Sequence, residues 1–115
     1  MKTFNTYTEM KSWFDQRLLD DDISYIKTLD QQIIVASTSA RKQLNIYDGE
    51  MLDTSLIMSN VDEVANIDKK LIDGKFNGVS YELWSLESPR MLYWNKRLIM
   101  VGNEVLILQE LHPSV

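Results

Sequence analysis

The residues able to do chemistry are few in kind. There is one histidine, His112, followed only by Pro113, Ser114 and Val115. Its imidazole would act as a general base only if that tail were pinned beside a serine and a carboxylate. The ordinary expectation is a free tail over residues 112–115. There is no cysteine. That removes thiol nucleophiles, thiolate metal ligands and disulfides, and with them any need for an oxidising compartment. One histidine without cysteine leaves no usual zinc set.

Oxygen ligands for a hard cation remain at Asp20, Asp21 and Asp22, or at Asp48, Glu50 and Asp53. Neither group has the alternating acids, central glycine and distal glutamate of a calcium loop. With 17 acidic residues in the chain, some pair suggests glycosidase-type acid–base work by chance alone. The glycines stand apart at 49, 74, 78 and 102, so no phosphate-cradling loop exists. The expectation is a protein without metal, cofactor or catalysis.

What the chain does supply is carboxylate in long one-signed runs. From Tyr47 to Asp68 the sequence holds six carboxylates, and no lysine or arginine occurs between Lys42 and Lys69. Surfaces usually intersperse the two signs. Asp62 and Glu63 have a local task, because acids suit the positive end of a helix, and Asp48 suits a turn before Gly49. The lack of any compensating base is not explained locally. A second run, Asp20-Asp21-Asp22, follows the first predicted helix, where carboxylates oppose the helix dipole unless the helix has already ended.

Net charge is −5, against nucleic-acid binding, which rests on Lys and Arg neutralising phosphate, and against an anionic membrane surface. Basic residues come as pairs at Arg41-Lys42, Lys69-Lys70 and Lys96-Arg97. Lys96-Arg97 follows Tyr93 and Trp94, a tip that could stack on a base, although a core Trp94 with charges solvating the turn is the simpler reading. The N-terminus has no apolar signal region. Fully apolar runs such as 98–101 and 105–108 are four residues long and fall far short of the roughly 20 residues that span a bilayer. A cytoplasmic protein is expected.

Elements must position these groups. At 115 residues, 44% hydrophobic and 25% charged, the chain suits a single ordered domain, 1–115. Residues 6–19 predict a helix, with Thr6 and Glu9 at capping-box spacing and Tyr7, Met10, Phe14 and Leu18 on one side. Strands are predicted at 23–29 and 32–37 about a turn near Asp30, with Tyr25 and Lys27 sharing a face. "STSARK" reads as a polar loop, "QLNIY" as a strand, and "SLIM" as an extended piece. Asn60 and Glu63 cap a short helix over 60–69. That helix either continues to Gly74 or gives way to a strand over 71–76; the hairpin signal Asn77-Gly78 favours the strand.

The last third reads as strands "VSYELWSL", "MLYW", "RLIMV" and "EVLILQEL", separated by "ESPR", "NK" and "GN". Met91 and Tyr93 then face one way, Leu92 and Trp94 the other. The predicted fold is α+β: a curved antiparallel sheet with a C-terminal meander, packed with the N-terminal helix and a second short helix.

Function follows as an expectation. It is a non-catalytic protein-binding module whose acidic face docks on a basic, even nucleic-acid-binding, surface of a partner protein and blocks it. Immunity and phage anti-defence proteins share that character, an analogy of class alone. The residues expected to carry it are Asp20, Asp21, Asp22, Asp48, Glu50, Asp53, Asp62 and Glu63. The alternative is an assembly subunit, a homo-oligomer joined through an apolar sheet face, because strands apolar on both faces need cover on both. A third reading is a small-ligand or enzymatic domain, with a pocket at Trp84, Tyr93 and Trp94.

Overall fold

The computed structural model describes residues 1–52, 61–75, 79–85 and 88–112, with the backbone alone for 61–63. Among these the chain runs β1 (Lys2–Phe4), α1 (Tyr7–Arg17), β2 (Ser24–Lys27), β3 (Ile33–Ala36), α2 (Thr38–Leu44), α3 (Val61–Ile72), β4 (Val79–Trp84), β5 (Arg90–Val101) and β6 (Glu104–Leu111). The architecture is α+β, with six strands in one mixed sheet ordered β1-β5-β6-β2-β3 and β4 also on β5. β6 takes one edge of β5 along residues 94–101. β4 and β1 share the other edge, at residues 90–95 and 99–101. The β1–β5 pair is parallel, which corrects the all-antiparallel expectation. Three residues are too few for alternation to announce a strand.

α1 forms where its cap predicts. Thr6 Oγ1 accepts the Glu9 N–H at 3.2 Å, while the Glu9 carboxylate accepts from the Asn5 N–H, one residue before the usual box partner. Met10 and Phe14, one turn apart, are fully buried. The Tyr7 phenol donates to Glu104 beside the β5–β6 turn, and that bond pushes its pKa up to about 12. β2 and β3 form the expected hairpin, joined through Gln31 at φ 72.

Three expectations are corrected. Residues 38–44 are helix, not a polar loop running into a strand. Ser37 Oγ accepts the Ala40 N–H, Ala40 and Leu44 are buried, and left-handed Asn45 closes the helix by donating to Arg41 O. Residues 71 and 72 continue α3, and the chain turns at Gly74, φ 70. The alternative of a helix ending at Gly74 therefore holds, and no strand starts at Leu71. Residues 76–78 and the "SLIM" piece lie outside the described residues. Finally, Asn95-Lys96 is no reversal: β5 passes straight through it for 12 residues.

β5 also changes the face it buries. Leu92, Trp94 and Lys96 are buried on one side; Ile99 and Val101 are buried on the other. The sheet thus carries two cores. On the α1 face, Met10, Phe14, Ile26, Val35, Ile99, Val101, Leu106 and Leu108 pack together. On the opposite face, Tyr25, Ile33, Ala40, Leu44, Val64, Trp84, Leu92 and Trp94 pack under α2 and α3.

Candidate functional site

The α3 face holds a closed ionic network that charge patterning alone did not reveal. Lys27 on β2, Lys96 on β5, Glu82 on β4 and Asp68 on α3 are 0%, 5%, 2% and 3% exposed. Strand alternation turns Lys27, Glu82 and Lys96 inward, and Asp68 lies one turn beyond buried Val64 on α3. Asp68 Oδ2 lies 2.9 Å from Lys27 Nζ, and its Oδ1 lies 3.1 Å from Lys96 Nζ. Lys96 also reaches Glu82 Oε2 at 3.3 Å. Gln31, in the β2–β3 turn, accepts from Lys27 at 2.7 Å and donates to Asp68 at 3.0 Å. Trp84 Nε1 donates to Glu82 at 3.2 Å, and Gln109 Nε2 donates at 3.5 Å.

Two cations and two anions make the group neutral as a set. Burial pushes the Lys27 ammonium below its ordinary pKa, and the Lys96 charge adds to this. Burial also works to raise the Asp68 pKa, but the two lysines and the bonds from Gln31 and Lys27 outweigh it, so the carboxyl sits below its ordinary value. Burial and the charges of Glu82 and Asp68 push the Tyr25 phenol well up. Tyr25 Oη, Ser80 Oγ, Trp94 Nε1 and Gln109 Oε1 line the same face, buried without a hydrogen-bond partner among the described residues. Of the aromatic residues expected to line a pocket, Trp84 and Trp94 lie on this face, and Trp84 bonds the Glu82 carboxylate. Both rings are fully buried and packed against each other at 6.2 Å, and Tyr93 faces the other way.

The predicted acidic residues divide. The 19–22 turn and the 48–50 turn each bond the segment that leads into α2. Ser37 Oγ donates to Asp22 O at 2.7 Å and Ser39 Oγ donates to Asp20 O at 2.9 Å. Asp48 Oδ1 accepts the Ala36 N–H at 2.9 Å. The 48–52 segment is held along the outer edge of β3 by the Ile33 N–H to Glu50 O and the Leu52 N–H to Gln31 O. Asp20, Asp21, Asp48 and Glu50 are exposed; Asp22 is half-buried and accepts the Leu19 N–H, closing its own turn. A groove of about 600 Å³ opens beside them, lined in part by Asp15, Asp20, Arg41 and Lys42.

The acids are not free of cations. Arg41 Nη2 lies 3.3 Å from both oxygens of Asp48, and Asp68 belongs to the interior. The one-signed run of the sequence is therefore broken in space by bases from other segments. Asp53 and the side chains of Asp62 and Glu63 lie outside the described residues.

A third feature is an uncovered end of the α1 face. Val79, Tyr81, Met91 and Tyr93 are 40%, 68%, 41% and 38% exposed. β4–β5 register sets Tyr81 directly opposite Tyr93, with ring centroids 6.4 Å apart. Arg97, Glu110 and Arg17 form a linked group further along this face, at 2.5 and 2.8 Å. The two arginine bonds hold the Glu110 carboxyl below its ordinary pKa against the effect of burial.

Among the described residues no three His, Cys, Asp or Glu side chains gather as metal ligands, and no helix is long and apolar enough to cross a membrane. No protein-family model matches the chain, and no curated protein matches it.

Proposed function

We propose that the chain is a non-catalytic protein-binding module that docks an acidic rim on a basic surface of a partner protein and neutralises that surface by covering it. The observation that supports this is that two acid-bearing turns, 19–22 and 48–50, both bond residues 36–39 at the start of α2. They are far apart in sequence, and each brings exposed carboxylates to the neighbourhood of α2. Because Arg41 offsets Asp48, the weight moves to Asp20, Asp21 and Glu50; Asp53 and the side chains of Asp62 and Glu63, expected from the sequence to contribute, lie outside the described residues. A one-signed rim accelerates encounter with an oppositely charged partner. The paired interior charges support binding over chemistry, since Lys27, Lys96, Asp68 and Glu82 already satisfy one another. The absence of cysteine fits a cytoplasmic setting.

The test is affinity capture from the source organism at low and high salt, with the native chain and a variant carrying Asp20→Lys, Asp21→Lys and Glu50→Lys. A basic protein retained at low salt, and lost both at high salt and with the variant, is the expected outcome. Partners held equally well under all conditions would contradict the reading.

A further inference from the structure

We infer that the uncovered β4–β5 end of the sheet is the contact surface for a second copy of this chain. The α1 face is covered where Met10 and Phe14 lie over Ile99, Val101, Leu106 and Leu108. The cover stops before the first half of β5. There Val79, Tyr81, Met91 and Tyr93 stand side by side on two paired strands, and Tyr81 is 68% exposed. Lone exposed apolar residues need no explanation; a contiguous block that includes two tyrosines with rings tilted at 51° and centroids 6.4 Å apart has the composition that interfaces are enriched in.

Charge selects the occupant. Among the described residues the block itself holds no ionised side chain, and its polar member Asn95, between Val79 on β4 and Glu110 on β6, both donates and accepts, so it can face its own copy. The nearest cation along the face, Arg97, is paired with Glu110. A basic partner would meet Arg97 and Arg17, and an acidic partner would meet a molecule of net charge −5. An isologous contact brings no like charges together at its centre, and it completes the burial of a strand pair whose opposite face, with Glu82, Trp84, Leu92, Trp94 and Lys96, is already buried. The four side chains expose roughly 400 Å², about half of the ~800 Å² that each partner gives to a standard stable interface. The dimer is therefore weak, forming in the micromolar to millimolar range rather than being obligate.

This surface is separate from the acidic rim, and salt acts on it in the opposite sense. Screening relieves repulsion between two anionic copies, whereas it weakens capture of a basic partner. The experiment is sedimentation equilibrium of the full chain from micromolar to millimolar concentration, at low and high salt, with the native protein, Tyr81→Lys and Met91→Lys. Both positions are exposed, and near-ultraviolet circular dichroism from Trp84 and Trp94 reports whether the fold is kept. The native mass is expected to climb from 13.4 kDa toward twice that value, and further at high salt, with each variant weakening association at least about tenfold. A native chain that stays at one mass throughout overturns the inference. So do folded variants that associate as the native chain does, since the contact then lies elsewhere.

Discussion

On the α1 face of the sheet, Met10, Phe14, Ile99, Leu106 and Leu108 meet as hydrocarbon and sulfur alone. On the α3 face, Tyr25, Trp84 and Trp94 share their space with two lysines and two carboxylates. The same strands build both. Leu108 and Gln109 are neighbours on β6, and Ile26 and Lys27 are neighbours on β2, each pair pointing to opposite sides. Apolar packing is non-directional, so α1 is held by area and fit. An ion pair is directional and is costly when half of it is removed. α3 is therefore held in place by where Asp68 must sit between Lys27 and Lys96, more than by the area it covers. Buried networks of this kind add little net stability compared with a well-packed apolar alternative, yet they set position.

The largest expected effect follows from that asymmetry. Asp68→Ala leaves two buried ammonium groups short of a partner and should cost about 3–5 kcal/mol in urea unfolding. Adding Lys27→Met to Asp68→Ala should recover part of the loss, leaving Lys96 with Glu82. A double-mutant cycle that came out additive would mean that the contact carries no coupling. Ser37→Ala ranks next, at about 2 kcal/mol, because Ser37 Oγ accepts the N–H groups of Ser24 and Ala40 and donates to Asp22 O. Ile99→Val, on the hydrocarbon face, should cost only about 1 kcal/mol.

Each face should also respond to acid through one lowered carboxylate. The folded Asp68 carboxyl lies below its ordinary value of 3.8. Between those two pH values the unfolded chain binds more protons, so the network's contribution is complete above the ordinary carboxylate range and is lost as pH falls through the folded value. Asp68→Asn should flatten that acid limb of the stability curve, as read by urea midpoints. Glu110, lowered by Arg17 and Arg97, adds a second acid-sensitive contribution on the other face, and Glu110→Gln isolates it. Ile99→Val should shift the whole curve without changing its shape.

Much of this architecture was legible in the residues. Thr6 and Glu9 marked the start of α1, the run 32–37 marked β3, and Gly102-Asn103 marked the β5–β6 turn. Shortness hid α2, since Ala40 and Leu44 are a single apolar pair across seven residues, although Ser37 was an available cap. Asn77-Gly78 misled because local turn chemistry was weighed above the helical stripe that carries α3 to Ile72. The network was hidden for a different reason. Lys96 and Asp68 read as surface charges because such residues are rarely buried unless paired, and their partners come from β2 and β4, far away in sequence. Lys27 sharing a strand face with Tyr25 was the one available sign.

Native-state hydrogen exchange on the folded protein and on Asp68→Asn tests the anchoring of α3 most directly. Amides of α3 should lose most of their protection in the variant, while amides of α1 keep theirs. Protection lost equally in both helices, or retained in α3, would contradict the account.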